Sequence, residues 1–70
     1  MKFLVVVEKT KTGFSAWCPD LPGCAATGRT RPQVEREMKR AIEFHLAGMH
    51  AERIRVPAPK TYSTWVEVPA

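Results

Sequence analysis

The sequence predicts a small α+β fold: a three-stranded antiparallel meander, one helix packed on one face of it, and then a C-terminal strand, in the order β-β-β-α-β. Three observations support this order. Short apolar runs alternate with turn residues near the N-terminus, apolar residues then recur every three or four positions, and an alternating run follows a proline-rich connector. At 70 residues, 44% of them hydrophobic and 26% charged, the chain is predicted to be one domain spanning residues 1–70.

The first three strands are predicted at about residues 2–8, 13–18 and 24–28. β-Branched residues dominate the first strand, and the second, "FSAWC", alternates large and small side chains. The turn sequence "KTKTG" between them predicts a β-hairpin. The third strand, "CAATG", is short, and we expect it to be partly exposed.

The helix is predicted at about residues 31–49. Thr30 stands at the N-cap position, and Gln33 follows three residues later, which is the spacing of a capping box. Pro32 is tolerated in the first turn, since its missing N–H would have no helical partner there. One apolar stripe on this helix contains Val34, Met38, Ala41, Ile42, Leu46 and Met49. The connector "VPAPK" then leads to a final strand at about residues 61–68.

Apolar residues occupy both faces of the first predicted strand, because "FLVVV" is apolar at odd and even positions alike. A single helix covers only one face of a sheet, whereas strands that are apolar on both faces are normally buried on both. We therefore expect a homo-oligomer built on a two-fold axis, either a dimer or a tetramer. The predicted interface residues are Leu4, Val6 and Trp65.

The metal-ligating and nucleophilic side chains do not form a recognisable site. Five residues separate Cys18 from Cys24, where a zinc knuckle has about two to four, and His45 and His50 fall on or near the helix end. Asp20, which is close to both thiols in sequence, would raise a thiol pKa rather than lower it. A disulfide is compatible with the chain reversal between the cysteines, but a reducing compartment favours free thiols. We predict no metal, no cofactor and no enzymatic activity.

The net charge of +4 leaves open a small RNA- or DNA-binding module as an alternative function. Glutamates on the same helix offset much of this charge, and for that reason we favour a solvated helix face. The arginines that would contact phosphates in the alternative are Arg29, Arg31, Arg36 and Arg40. No signal peptide or apolar membrane span is evident, so the sequence predicts a cytoplasmic protein without a membrane partner.

The most distinctive stretch is "CPDLPGCAATG" at residues 18–28. Pro19 and Pro22 restrict φ, Gly23 tolerates positive φ, and Asp20 accepts hydrogen bonds from nearby backbone N–H groups. These residue types predict a rigid corner, and a rigid exposed corner loses little entropy when it binds a partner. The predicted partner-binding residues are Asp20, Leu21, Pro22, Gly23 and Trp17.

This corner, the Thr27–Gly28 pair before the helix and the His45–Leu46 step near its end resemble the HicB-like antitoxin family, over roughly the first fifty residues. The resemblance implies a partial RNase-H-like fold that lacks the carboxylates of the nuclease. It also implies a partner, because HicB antitoxins bind and block HicA, a small mRNA interferase, and commonly form dimers or tetramers.

Two features differ from the pattern of that family. HicB antitoxins usually carry a C-terminal DNA-binding module, whereas this sequence ends after its last predicted strand, so we expect no operator binding. An antitoxin directed against a basic toxin is expected to be acidic for electrostatic steering, whereas this chain is basic.

Overall fold

The computed structural model describes residues 1–70 as a three-stranded antiparallel sheet followed by one long helix. The strands are β1 (Val6–Lys9), β2 (Phe14–Trp17) and β3 (Ala25–Gly28), and the helix is α1 (Arg31–Ala51). In the sheet the strands keep their sequence order, β1-β2-β3. The predicted meander and helix are therefore confirmed.

The β1–β2 hairpin is closed by its turn residues. The backbone N–H of Thr10 donates to the Gly13 carbonyl at 2.8 Å, and the Gly13 N–H donates to the Thr10 hydroxyl at 3.1 Å. At the other end the register pairs Val6 with Trp17. The next position of β2, Cys18, uses both of its backbone groups in hydrogen bonds within residues 18–24. No ladder partner remains for residues before Val6, and β1 is consequently shorter than the predicted strand.

The N-terminus of α1 is capped as the sequence predicts. The Gln33 N–H donates to the Thr30 hydroxyl at 3.2 Å, while the Gln33 side chain accepts from the Arg29 N–H at 2.8 Å. The glutamine thus reaches one residue further back than in the usual capping box, in which it binds the N–H of the cap residue itself. The first bond satisfies a donor that the helix leaves without a partner at its start, and the second satisfies the N–H of the residue before the cap.

The C-terminus of α1 is closed by a Schellman motif that places an arginine at the left-handed position. The Ile54 N–H donates to the Met49 carbonyl at 2.8 Å, and the Arg53 N–H donates to the His50 carbonyl at 3.1 Å. Arg53 has a φ of 58°, a conformation that glycine usually supplies. Gly48 lies inside the helix, and α1 ends at Ala51, two residues beyond the predicted end at residue 49.

The helix packs against β3 and β2, and its backbone does not approach β1. Gly28 makes this packing close, since a Cβ there would lie only 2.6 Å from the Val34 backbone nitrogen. Side chains from β2, the corner and α1 form a small core. The six buried residues are Ala16, Cys18, Leu21, Cys24, Val34 and Met38.

The predicted C-terminal strand is not formed. Residues 54–70 contain no helix, strand, turn or bend, and after Ile54 none takes part in a backbone–backbone hydrogen bond. A strand exists only where its N–H and C=O groups pair with a neighbouring strand, and the single chain supplies none to this segment. Residues 61–68, which we call the C-terminal arm, instead leave their apolar side chains in solvent. These are Tyr62, Trp65, Val66 and Val68.

Replacing Gly28 with alanine should destabilise the fold. The new methyl group would meet the backbone of Val34, which cannot rotate away, and overpacking of this kind costs about 1–3 kcal/mol. Gly48→Ala is the matched control, because nothing lies within 4 Å of a Cβ there and alanine favours a helix interior by about 0.5–1 kcal/mol. Urea unfolding at one protein concentration should lower the midpoint for Gly28→Ala and raise it for Gly48→Ala. Equal effects of the two variants would contradict the close packing.

Candidate functional site: the corner and the uncovered strand β1

The corner between β2 and β3 consists of two consecutive turns. The Leu21 N–H donates to the Cys18 carbonyl and the Cys24 N–H to the Leu21 carbonyl, both at 3.1 Å. A third bond, from the Cys18 N–H to the Cys24 carbonyl at 3.0 Å, closes the base of the loop. Pro22 and Gly23 occupy the middle of the second turn, and the Gly23 φ of 83° has the sign that a type II turn requires at this position.

The corner is anchored from within by its central residue. Leu21 is only 1% exposed and belongs to the core, while Pro22 and Gly23 next to it are exposed and Asp20 is half-buried. The side chain of Leu21 is therefore not exposed to a partner, unlike the other predicted partner-binding residues. Trp17 is 38% exposed. It lies at the end of β2 on the face turned away from the helix, since it alternates with the buried Ala16.

Asp20 ties the corner to the C-terminal arm. The Thr61 N–H donates to Asp20 Oδ2 at 3.2 Å, and the Thr61 hydroxyl donates to Oδ1 at 3.0 Å. Desolvation raises the pKa of the Asp20 carboxyl, but the two bonds from Thr61 and the nearby Lys60 outweigh it, so this pKa lies below its ordinary value. This contact spans 41 positions, and no local pattern in the sequence indicates it.

Strand β1 is uncovered on its helix-facing side. A mostly apolar groove of about 490 Å³, with Glu35, Lys39 and Glu43 on its helix side, separates the side chains of β1 and the residues before it from α1. Because α1 lies over β2 and β3, nothing fills this space. We call it the β1 groove and define it by Phe3, Val5, Val7, Met38 and Ile42.

A second cavity lies between β1 and the arm of the same chain. It has a volume of about 430 Å³ and is lined on one side by residues 4–7 and on the other by residues 63–65. We call it the β1 slot. The predicted oligomer-interface residues Leu4, Val6 and Trp65 all line it, so the structure brings them together around one cavity. Trp65 is 99% exposed there.

The four arginines of the nucleic-acid alternative are all exposed, but they do not form one cluster. Arg36 and Arg40 are one helical turn apart, whereas Arg31 is rotated by about 140° from Arg36 around the helix axis. Arg40 also forms a 3.6 Å ion pair with Glu37. Arg29, which precedes the helix, lines a different and mostly polar cleft beside the β1–β2 turn.

The two cysteines are free and buried thiols in the core. Burial, followed by the proximity of Cys18, raises the pKa of the Cys24 thiol, which disfavours the reactive thiolate. Nowhere in residues 1–70 do three or more His, Cys, Asp or Glu side chains gather as they would around a metal ion. Helix α1 lacks the apolar length that crossing a bilayer would require.

The fold defines a small α+β domain, in which one helix packs on two strands of a short meander. A rigid corner with exposed residues projects from this domain. The sequence model of the HicB_like antitoxin of bacterial toxin-antitoxin systems matches residues 3–70. The chain belongs to this family, and the resemblance of its motifs is confirmed. Membership points to a non-enzymatic role in a toxin-antitoxin system.

Relatives of this chain occur in a phage and in a bacterium. An uncharacterized 14.9 kDa protein from the rep-hol intergenic region of Haemophilus phage HP1 is 29% identical over 99% of this chain and 52% of its own length. A UPF0150 protein of Helicobacter pylori is 35% identical over 70% of this chain and 68% of its own length. The chain thus spans about half the length of the phage relative.

The chain is also similar to a chain in the solved structure of a HicA3 and HicB3 toxin-antitoxin complex. The TM-score is 0.67 with 26% sequence identity, over 83% of this chain and 72% of that chain. The match supports both the α+β fold and a place in a toxin-antitoxin system.

Acidification should release the arm from the corner. Because folding lowers the pKa of Asp20, the Thr61 contact contributes stability above pH 3.8 and loses it as the pH falls through the lower folded value. In an NMR pH titration, the Thr61 amide resonance should move upfield as the pH falls, with its midpoint below pH 3.8. The Thr64 amide serves as the control. A Thr61 amide that titrates at or above pH 3.8 would contradict the contact.

Both thiols should be inert in the folded protein. A thiol reagent such as Ellman's reagent requires a thiolate that it can reach, whereas Cys18 and Cys24 are both buried and the pKa of the Cys24 thiol is raised. At pH 7.5 we expect the thiols of the folded protein to react at least about 100-fold more slowly than those of the protein unfolded in guanidinium chloride. Both thiols should react in the unfolded protein. Immediate reaction of either thiol in the native protein would show that the corner is open.

Proposed function

We propose that the chain binds and blocks a small HicA-type mRNA interferase and has no catalytic activity of its own. The observation that carries the proposal is the match, over 83% of the chain, to a chain of a HicA3 and HicB3 toxin-antitoxin complex. Family membership supports the same role. Because such a toxin acts on mRNA, the proposal places the protein in the cytoplasm.

The contact surface we propose is the exposed side of the corner, formed by Asp20, Pro22 and Gly23, together with Trp17. Three backbone hydrogen bonds and the buried Leu21 hold this corner in one conformation before any partner arrives. Binding therefore orders few additional groups, which favours affinity. Trp17 adds a large, half-exposed ring, a residue type that often dominates binding energy at interfaces.

The net charge of +4 gives the chain no overall electrostatic attraction for a basic toxin. The proposed surface does carry the Asp20 carboxylate, which is ionised at neutral pH because its pKa is lowered, with the Lys60 cation close by. This carboxylate offers a basic toxin one local hydrogen-bonding contact. Long-range steering would be weak, so shape and apolar contact would supply most of the affinity.

We further propose that the protein acts as a homo-oligomer built on a two-fold dimer. Support comes from the face of the sheet opposite α1, where Leu4, Val6 and Trp17 have no layer of secondary structure above them. Strands that are apolar on both faces are normally covered on both.

An assay of RNA cleavage by a HicA-type interferase from the same organism tests the proposal. Adding the wild-type chain in equimolar amount should abolish cleavage. Pro22→Arg places a long charged side chain on the proposed surface and should weaken inhibition at least tenfold. Ala47→Arg is the matched control, since it adds the same side chain at an exposed helix position, and it should inhibit like the wild type.

The outcomes of this assay distinguish the alternatives. Failure of the wild-type chain to inhibit overturns the proposal, and equal inhibition by both variants rejects the corner as the contact surface. If the chain instead binds RNA directly, with salt-sensitive affinity that Arg36→Glu and Arg40→Glu abolish, the nucleic-acid alternative replaces the proposal.

A further inference from the structure

Strand β1 is an edge strand whose outer backbone edge is unpaired, and its two apolar residues, Val6 and Val7, are followed by the charged Glu8 and Lys9. It pairs with β2 on one side only, and Val6 and Val7 at its start carry no charge or proline that would discourage a further strand. Exposed apolar edges of this kind recruit another strand, whose main chain completes the ladder. The C-terminal arm of the chain also has an unpaired backbone, since none of its residues takes part in a backbone–backbone hydrogen bond.

The arm lies beside β1 of its own chain without pairing with it. Thr61 is bound to Asp20, which follows β2 and is therefore near the start of β1. From there the arm passes the β1 edge in the same direction as β1, with the β1 slot between them. No backbone hydrogen bond joins residues 4–7 to residues 63–65 across the slot.

We propose that the β1 slot is filled by the C-terminal arm of a second copy of this chain, in a reciprocal, two-fold exchange. This inference rests on the proposed homo-oligomer and specifies its interface. The incoming arm pairs with β1 on one side and with the resident arm on the other. A two-fold axis between the two arms makes them antiparallel to each other. Because each arm runs in the same direction as β1 of its own chain, it is antiparallel to the β1 strand of the other chain, with which it pairs.

The result is one continuous eight-stranded sheet, with the two arms at its centre. The exchange explains why the resident arm lies near β1 but is not bonded to it, because a strand position separates them. It also removes both β1 edges from solvent, so neither remains available for aggregation.

The side-chain pattern of the arm fits the two sides of this site. Tyr62, Thr64, Val66 and Val68 share one face of an extended strand, and Trp65 is on the other. The first face contains no charge and would fill the β1 groove, whose lining is mostly apolar. Trp65 would then cover the opposite face of the sheet, beside Leu4 and Val6.

The exposed area of the chain matches what such an exchange requires. The chain exposes 6113 Å², about 1,700 Å² more than a compact protein of 7.9 kDa would expose. Stable interfaces bury about 800 Å² on each partner or more, so the excess is sufficient for a permanent dimer. The radius of gyration of 13.9 Å likewise exceeds the value of about 11 Å expected for 70 residues.

The first measurement is made on the full-length wild-type chain. Sedimentation equilibrium at micromolar concentration should give twice the chain mass of 7.9 kDa. In a sample that mixes isotope-labelled and unlabelled chains, isotope-filtered NMR should detect contacts between Trp65 of one chain and Leu4 or Val6 of the other. A monomer, or a dimer in which the arm contacts only its own β1, would overturn the inference.

The second measurement uses charge in the arm. The double variant Val66→Glu, Val68→Glu should sediment at half the wild-type mass, because two carboxylates would have to enter the apolar groove. Neither residue belongs to the core, so the circular dichroism of the helix should be retained. Phe44→Glu is the control, since Phe44 is 83% exposed on the helix and lines neither the groove nor the slot. A double variant that remains dimeric would refute the exchange.

These results are independent of the toxin assay. A wild-type monomer that still inhibits the interferase would remove the exchange and leave the toxin proposal standing. An exchanged dimer that fails to inhibit the interferase would remove the toxin proposal and leave the exchange standing.

Discussion

The structure depends on how much of the sheet one helix can cover. An α-helix with its side chains is about 10–12 Å across, and neighbouring strands are about 4.8 Å apart, so one helix covers roughly two strands. In this protein the close contact between Gly28 and Val34 holds α1 over β3 and β2. Strand β1 is left with one open edge and two open faces, of which the helix-facing one is the β1 groove. The features available for binding on this side of the molecule follow from that placement.

The corner shows that the binding surface and the core are made by the same residues. Leu21 and Cys24 are buried under α1, yet their backbone groups form the turns that present Pro22 and Gly23 to solvent. The cysteines serve as small apolar residues in this packing, and their burial keeps reagents away from the thiols. A change in the core would therefore alter the shape of the exposed corner, and a change at Gly23, whose φ is positive, would strain the turn that joins Leu21 to Cys24.

Local features of the fold could be predicted from the sequence, and contacts between distant residues could not. Thr30 and Gln33 predicted the helix start because a capping box is set by residues three positions apart. Alternating residues at 61–68 predicted a strand, but strand formation also needs a partner, which pattern alone does not supply. The Thr61–Asp20 contact joins residues 41 positions apart, and the inward side chain of Leu21 depends on the fold of the whole corner.

Asp20 belongs both to the proposed toxin surface and to the anchor of the arm. A carboxylate accepts about four hydrogen bonds, and the Thr61 N–H and hydroxyl occupy two of these positions. Because Asp20 is only half-buried, the remaining positions are open to a donor from a bound protein. A partner can therefore engage the carboxylate while Thr61 keeps its place. On this geometry toxin binding at the corner and arm exchange at β1 are compatible, and one does not require the other.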